Sequence, residues 1–170
     1  MKILENALSD EAFKDVTEGL DKLVIDHKQC WTSSALIWNK GVKRGVTGTT
    51  LITICDENIT KIVEDEIKDY IPPYNELIVQ YFLWQPLSSI PPHTDAAHKF
   101  GITIYLNECD DRGAGGWFMW EDAISKERGV TNALWPKKNM MVLNDEKEEH
   151  WVTTVSPLAP LRCTLQIWGH

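Results

Sequence analysis

The sequence predicts a mainly β fold with flanking α-helices: a double-stranded β-helix, or jelly roll, with N-terminal helices packed on one side. Three observations lead there. From Leu77 onward, short runs rich in β-branched and aromatic residues follow one another with turn residues between them. Two helical periodicities precede them, the order expected of a double-sheet β core with helical support. Eight tryptophans suit a β-rich interior, which favours aromatic side chains. The chain has 170 residues, about one domain, and can bury roughly 70% of its unfolded surface without staples. One domain over 1–170 is expected, with helical and strand support over about 1–76 and the β core over about 77–170.

Taken in order, residues 9–26 read as an amphipathic helix. Ser9 is its N-cap, and Ala12, Phe13, Val16, Leu20, Leu23 and Val24 recur at helical intervals. His27 closes it as a C-terminal or surface residue. Strands are expected over 31–38 and 47–55, separated by a basic, Gly-containing loop at 40–45. A second helix is expected over 59–70, with Ile59, Ile62, Val63, Ile67 and Tyr70 on one face and Pro72-Pro73 as its stop. Beyond it, strands are expected at 77–84, 100–107, 117–120, 140–143, 150–155 and 162–168. The long connection at 121–134, charged and containing Gly129, reads equally as a mobile lid or an inert loop.

The candidate site is organised around Pro92-His93-Thr94-Asp95. Residues two apart on an extended strand share a face, so His93 and Asp95 can offer a nitrogen and a carboxylate oxygen to one ion. His150, opening the run His150-Trp151-Val152, is the expected third ligand. Two histidines and one carboxylate form the facial triad of non-haem Fe(II), which leaves coordination positions open. Twelve residues later Arg162 begins a strand whose alternate members Arg162, Thr164, Gln166 and Trp168 share a face, a cationic and hydrogen-bonding wall suited to a carboxylate. His98 is a rival ligand only in a helical turn; the extended context sends it away from Asp95. His170 is expected at the surface or disordered.

Composition excludes several classes. Cys30, Cys55, Cys109 and Cys163 contain no CxxC pair, which argues against a zinc knuckle or redox dithiol and for reduced cytosolic thiols. A net charge of −8, with dispersed acidic residues, disfavours nucleic acid as a partner. No apolar signal core or membrane-length run is present, so a soluble cytoplasmic protein is expected.

From about Leu77 to Trp168 the chain resembles the prolyl 4-hydroxylase group of Fe(II)/2-oxoglutarate-dependent dioxygenases, especially compact microbial and phage versions. The resemblance rests on six elements in family order: His93-Thr94-Asp95, Tyr105-Leu106-Asn107, Gly115-Gly116-Trp117-Phe118, Pro136-Lys137-Lys138-Asn139, His150 and Arg162. It implies that His93, Asp95 and His150 bind iron, that Arg162 and the Tyr105 hydroxyl hold the distal carboxylate of 2-oxoglutarate, and that Trp168 packs against a target proline ring. It also implies O2 as co-substrate, ascorbate as a helper, a peptide or protein substrate, and the cytoplasm of a bacterial or phage-infected cell. Where the family carries a Tyr nine or ten residues before its HxD motif, and a Gly shortly after, this chain has Trp84 and Leu87; an indole N–H can still donate. Prolyl hydroxylation is the leading expectation. Hydroxylation of another side chain or a free amino acid, and a non-catalytic metal-binding jelly roll, are the alternatives, with oxidative demethylation of nucleic acid disfavoured by charge. Oligomeric state is left open.

Overall fold

The computed structural model describes residues 1–26, 32–34, 50–108 and 111–170. His27, Cys30, Cys109, the 40–45 loop and most of the expected 31–38 strand lie outside them. In chain order the elements are β1 (Lys2–Leu4), α1 (Asp10–Asp26), β2 (Thr32–Ser34), β3 (Thr50–Ile54), α2 (Glu57–Ile67), β4 (Leu77–Trp84), β5 (Ile90–His93), β6 (Phe100–Tyr105), β7 (Phe118–Glu121), α3 (Ala123–Arg128), β8 (Asn132–Leu134), β9 (Met141–Asp145), β10 (Glu149–Val152) and β11 (Arg162–Gly169).

Two antiparallel sheets make a jelly roll with flanking helices. The major sheet runs β1-β9-β6-β11-β4-β3-β2 and the minor sheet β5-β10-β7-β8. The period-2 alternation of the central strands divides the interior into two cores. On one face of the major sheet, Val79, Tyr81 and Leu83 of β4, Ile102 and Ile104 of β6, Met141 of β9 and Leu165 and Ile167 of β11 pack against Val16 and Leu20 of α1 and Val63 and Ile67 of α2. Each fully buried aliphatic side chain there contributes about 1.5–3 kcal/mol. On the other face Phe82, Trp84, Tyr105 and Val142 meet Ile90, Phe118 and Val152 of the minor sheet. Burial on both faces explains why β4 is apolar almost throughout.

The helices lie where their patterns require. Ser9 Oγ accepts from the Ala12 N–H at 3.3 Å and caps α1. Tyr81 Oη donates to Val16 O at 2.8 Å, tying α1 to the sheet, and Gly19 permits that approach because a Cβ there would stand 2.9 Å from the hydroxyl. α2 is shorter than the sequence predicts and begins earlier: Asp56 caps it through the Ile59 N–H at 2.8 Å, and it ends at Ile67, before Pro72 is reached. No described helix is long and apolar enough to cross a membrane.

Other expectations need correction. The 121–134 connection, read as a lid or a loop, carries a short helix and a strand. Asp122 caps α3 by accepting from the Ser125 N–H at 2.7 Å, Gly129 closes it at φ 63°, and β8 pairs with β7. Its turn chemistry is local, but a six-residue helix has too little periodicity to stand out. β11, twelve residues beyond His150, lies between β4 and β6 in the sheet opposite β10. His170 is half-buried and held in place, its N–H donating to Glu76 O at 3.0 Å and its carbonyl accepting from the Asn75 N–H at 2.6 Å.

Candidate metal and 2-oxoglutarate site

The cleft between the sheets collects the polar members of otherwise apolar strands. β5 pairs with β10 so that His93 and His150 stand opposite one another, the pairing that brings two distant histidines together. Their rings lie 4.3 Å apart, and Phe118 stacks on His150 at 5.5 Å with an 11° interplanar angle. Asp95 lies two residues past the end of β5, in a turn closed by the His98 N–H donating to Asp95 O at 2.8 Å, not on a continuing strand. The carboxylate nonetheless reaches both rings: Oδ1 is 3.8 Å from His93 Nε2, and Oδ2 is 3.6 Å from His150 Nε2. One donor atom from each residue falls within 4.8 Å of the other two, and all three residues are buried.

The donor chemistry fits a metal. His93 Nδ1 meets Pro91 O at 2.8 Å and His150 Nδ1 meets Glu148 O at 2.9 Å. A carbonyl can only accept, so each Nδ1 carries the proton and each Nε2 offers its lone pair to the shared space. Burial, followed by the neighbouring His150, pushes the His93 imidazole down to about 4, so it is neutral near pH 7 and ready to ligate. Two imidazoles and a carboxylate suit Fe(II) and leave positions for further ligands.

Arg162 enters the cleft from the start of β11 and is 6% exposed. Its Nη1 donates to Gly116 O, and its Nη2 donates to Gly115 O at 3.1 Å. Both glycines have φ near +70°, and a Cβ on Gly116 would come within 2.8 Å of Nη1, Cζ and Nη2. The Gly-Gly turn is thus the cradle of the guanidinium. Neutral carbonyls orient this buried cation without neutralising it, and such a cation favours an incoming anion. Tyr105, fully enclosed beside it with Arg162 Cζ 5.9 Å from its ring centre, has its hydroxyl pushed well above the usual range by burial and stays a donor.

Thr164, Gln166 and Trp168 follow Arg162 along the cleft. Thr103 Oγ1 donates to Gln166 Oε1 at 3.0 Å, while Gln166 Nε2 at 3.3 Å and Trp84 Nε1 at 3.0 Å both donate to Thr164 Oγ1. With both lone pairs taken, the Thr164 hydroxyl has only its proton to offer. The single N–H of Trp84 is committed within the protein, so that residue contributes a wall to the cleft. Leu87 sits outside it, 59% exposed. Trp168 lies 5.7 Å from Phe82 and 5.8 Å from His98, whose Nδ1 pairs with His170 Nε2 at 3.1 Å. His98 stands apart from the His93–Asp95–His150 group. Asn144, absent from the sequence reading, donates to Asp95 Oδ2 at 2.7 Å; no local motif marks it.

A prolyl hydroxylase from Trichoplax adhaerens, solved in complex with a hypoxia inducible factor oxygen degradation domain peptide fragment, superposes with a TM-score of 0.75 at 15% identity, over 99% of this chain and 82% of that one. A Pseudomonas putida prolyl-4-hydroxylase gives 0.71 at 13% identity over 99% and 91%. The 2-oxoglutarate complex of the Paramecium Bursaria Chlorella virus-1 collagen prolyl hydroxylase gives 0.60 at 16% identity over 98% and 93%. This chain has the 2-oxoglutarate–Fe(II) oxygenase fold. Within the oxygenase fold the helices back the major sheet and the cleft lies on its other face, as described above. No protein-family model matches the sequence, and no curated protein matches it.

Proposed function

We propose that this protein is an Fe(II)- and 2-oxoglutarate-dependent hydroxylase acting on a prolyl residue of a peptide or protein. The observation that carries the reading is the coincidence, in one cleft, of the His93–Asp95–His150 group with a buried guanidinium that, among the described residues, is held by carbonyl oxygens. Bound Fe(II), with 2-oxoglutarate and O2, would supply oxidative decarboxylation coupled to hydroxylation of an unactivated C–H bond.

The protein's share is binding, orientation and exclusion of water. His93, His150 and Asp95 would hold the metal through two Nε2 atoms and the carboxylate. Arg162 would take the distal carboxylate of 2-oxoglutarate through its fork, with Tyr105 and Thr164 donating hydroxyl protons beside it. Burial strengthens these contacts, because a charge-assisted bond in a low-dielectric cleft competes with little water. Trp168, flanked by Phe82 and His98, would form an apolar seat for a proline ring. The neighbours named as prolyl hydroxylases support that choice of substrate, as does the peptide bound to one of them.

The test is succinate release from 2-oxoglutarate with iron, ascorbate and a panel of prolyl peptides, followed by mass spectrometry of the peptides. Peptide-stimulated succinate with one oxygen added to proline is expected. Oxygen on another residue would replace the substrate; a protein that binds metal but forms no succinate under any condition would be a binding module.

A further inference from the structure

Within the His93–Asp95–His150 group, the two histidines belong to paired strands and are oriented by backbone carbonyls. Asp95 lies in a turn beyond the end of β5. Its carboxylate is held instead from the major sheet, by two residues that are Cα partners there: Gly101 on β6 and Asn144 on β9. Asn144 is 3% exposed and donates from Nδ2 to Asp95 Oδ2 at 2.7 Å. Among the described residues it is the hydrogen-bond donor to that carboxylate; the imidazole Nε2 atoms stand 3.8 and 3.6 Å off, beyond hydrogen-bond reach. Gly101 supplies the room: a Cβ at that position would press into the carboxylate and stand 3.0 Å from Asn144 Nδ2. Its φ does not lie in the left-handed region, so the lack of a side chain here answers a need for space and not for backbone freedom. One strand gives the donor, and the strand beside it gives the seat.

We propose that Asn144 is a positioning residue for metal capture. Its amide fixes the rotation of the Asp95 side chain in the space left by Gly101, so that Oδ1 faces His93 Nε2 and Oδ2 faces His150 Nε2. The reason is entropic as well as electrostatic. A carboxylate on a turn samples several rotamers, and a charge-assisted bond from a rigid strand removes all but the one that completes the site. This rests on the metal-site reading above and extends it to the residues behind the ligand.

The test measures Mn(II) affinity by calorimetry, without 2-oxoglutarate, for the wild-type protein and for Asn144→Leu, Gly101→Ala and Asn139→Ala. Thermal melting of each in chelator is followed alongside. Asn144→Leu keeps the bulk and removes the donor; Gly101→Ala keeps the donor and fills the seat. Asn139, another buried asparagine, bonds the backbone of Leu8 through its side chain and, among the described residues, no other group; it controls for a purely structural loss. The expected result is a Kd for Mn(II) raised by about 10–100-fold in the first two variants, with Asn139→Ala melting lower yet binding Mn(II) like wild type. Gly101→Ala carries the test alone if Asn144→Leu does not fold. Affinity within about threefold of wild type in the folded variants, or an equal loss in Asn139→Ala, overturns the positioning role. A wild-type protein that takes up no Mn(II) overturns the metal-site reading itself.

Discussion

Gly116→Ala separates the cradle from the cation it holds. The substitution leaves Arg162 in place but sets a methyl group within 2.8 Å of three guanidinium atoms, whereas ordinary contact begins near 3.4 Å. The fork must therefore retreat by more than half an ångström, and its bond to Gly116 O is broken or bent. A charge-assisted hydrogen bond is worth about 1.5–3 kcal/mol, and a misplacement near 1 Å costs on the order of 100-fold, so 2-oxoglutarate affinity should fall by about 10–100-fold. The φ of +68° adds a separate backbone cost of about 1–2 kcal/mol, or a melting point lower by roughly 2–8 °C. Gly129→Ala isolates that second effect: its φ is +63° and nothing lies within 4 Å of the added methyl. Calorimetric titration of 2-oxoglutarate into the Mn(II)-loaded proteins, with melting curves of each, reads both. A Gly116→Ala protein that binds within about twofold of wild type, or a Gly129→Ala protein weakened equally, refutes the cradle argument.

Asp95→Ala removes the one carboxylate of the His-Asp-His group and should abolish stoichiometric iron and all turnover; iron retained in elemental analysis would remove Asp95 from the site. Trp168→Ala, which empties the cleft beside Phe82, should raise the peptide KM by about tenfold or more while leaving 2-oxoglutarate affinity unchanged; steady-state kinetics in the two substrates distinguish this from a general loss. Burial, followed by the nearby Asp21, pushes the Cys163 thiol from its ordinary 9.0 up to about 11. The unfolded chain therefore loses that proton first, and the stability linked to it is complete below pH 9 and lost as pH rises through 11, by at most about 1.4 kcal/mol per pH unit. Urea titrations at pH 8 to 11 should show that slope flattened in Cys163→Ala, and iodoacetamide should leave Cys163 unlabelled in the native protein at pH 8.

What the chain determines by itself is alternation and punctuation. The run Leu77–Trp84 coincides with β4, and Arg162, Thr164, Gln166 and Trp168 share the cleft face because a strand turns every second side chain the same way. Ser9 is legible as a cap, the repeat after it as an amphipathic helix, and His93 with Asp95 as a candidate metal-binding pair, since these depend on residue type and short spacing. Strand partnership is not local. That β11 lies between β4 and β6, that His150 stands across from His93 within the minor sheet, and that Asn144 and Gly101 meet behind Asp95 are decided by pairing over tens of residues. One strand can satisfy its backbone beside many others, and only the joint burial of two faces and the close packing of the cleft selects the set that forms. The sequence contains the candidate ligands; the tertiary structure decides what holds them still.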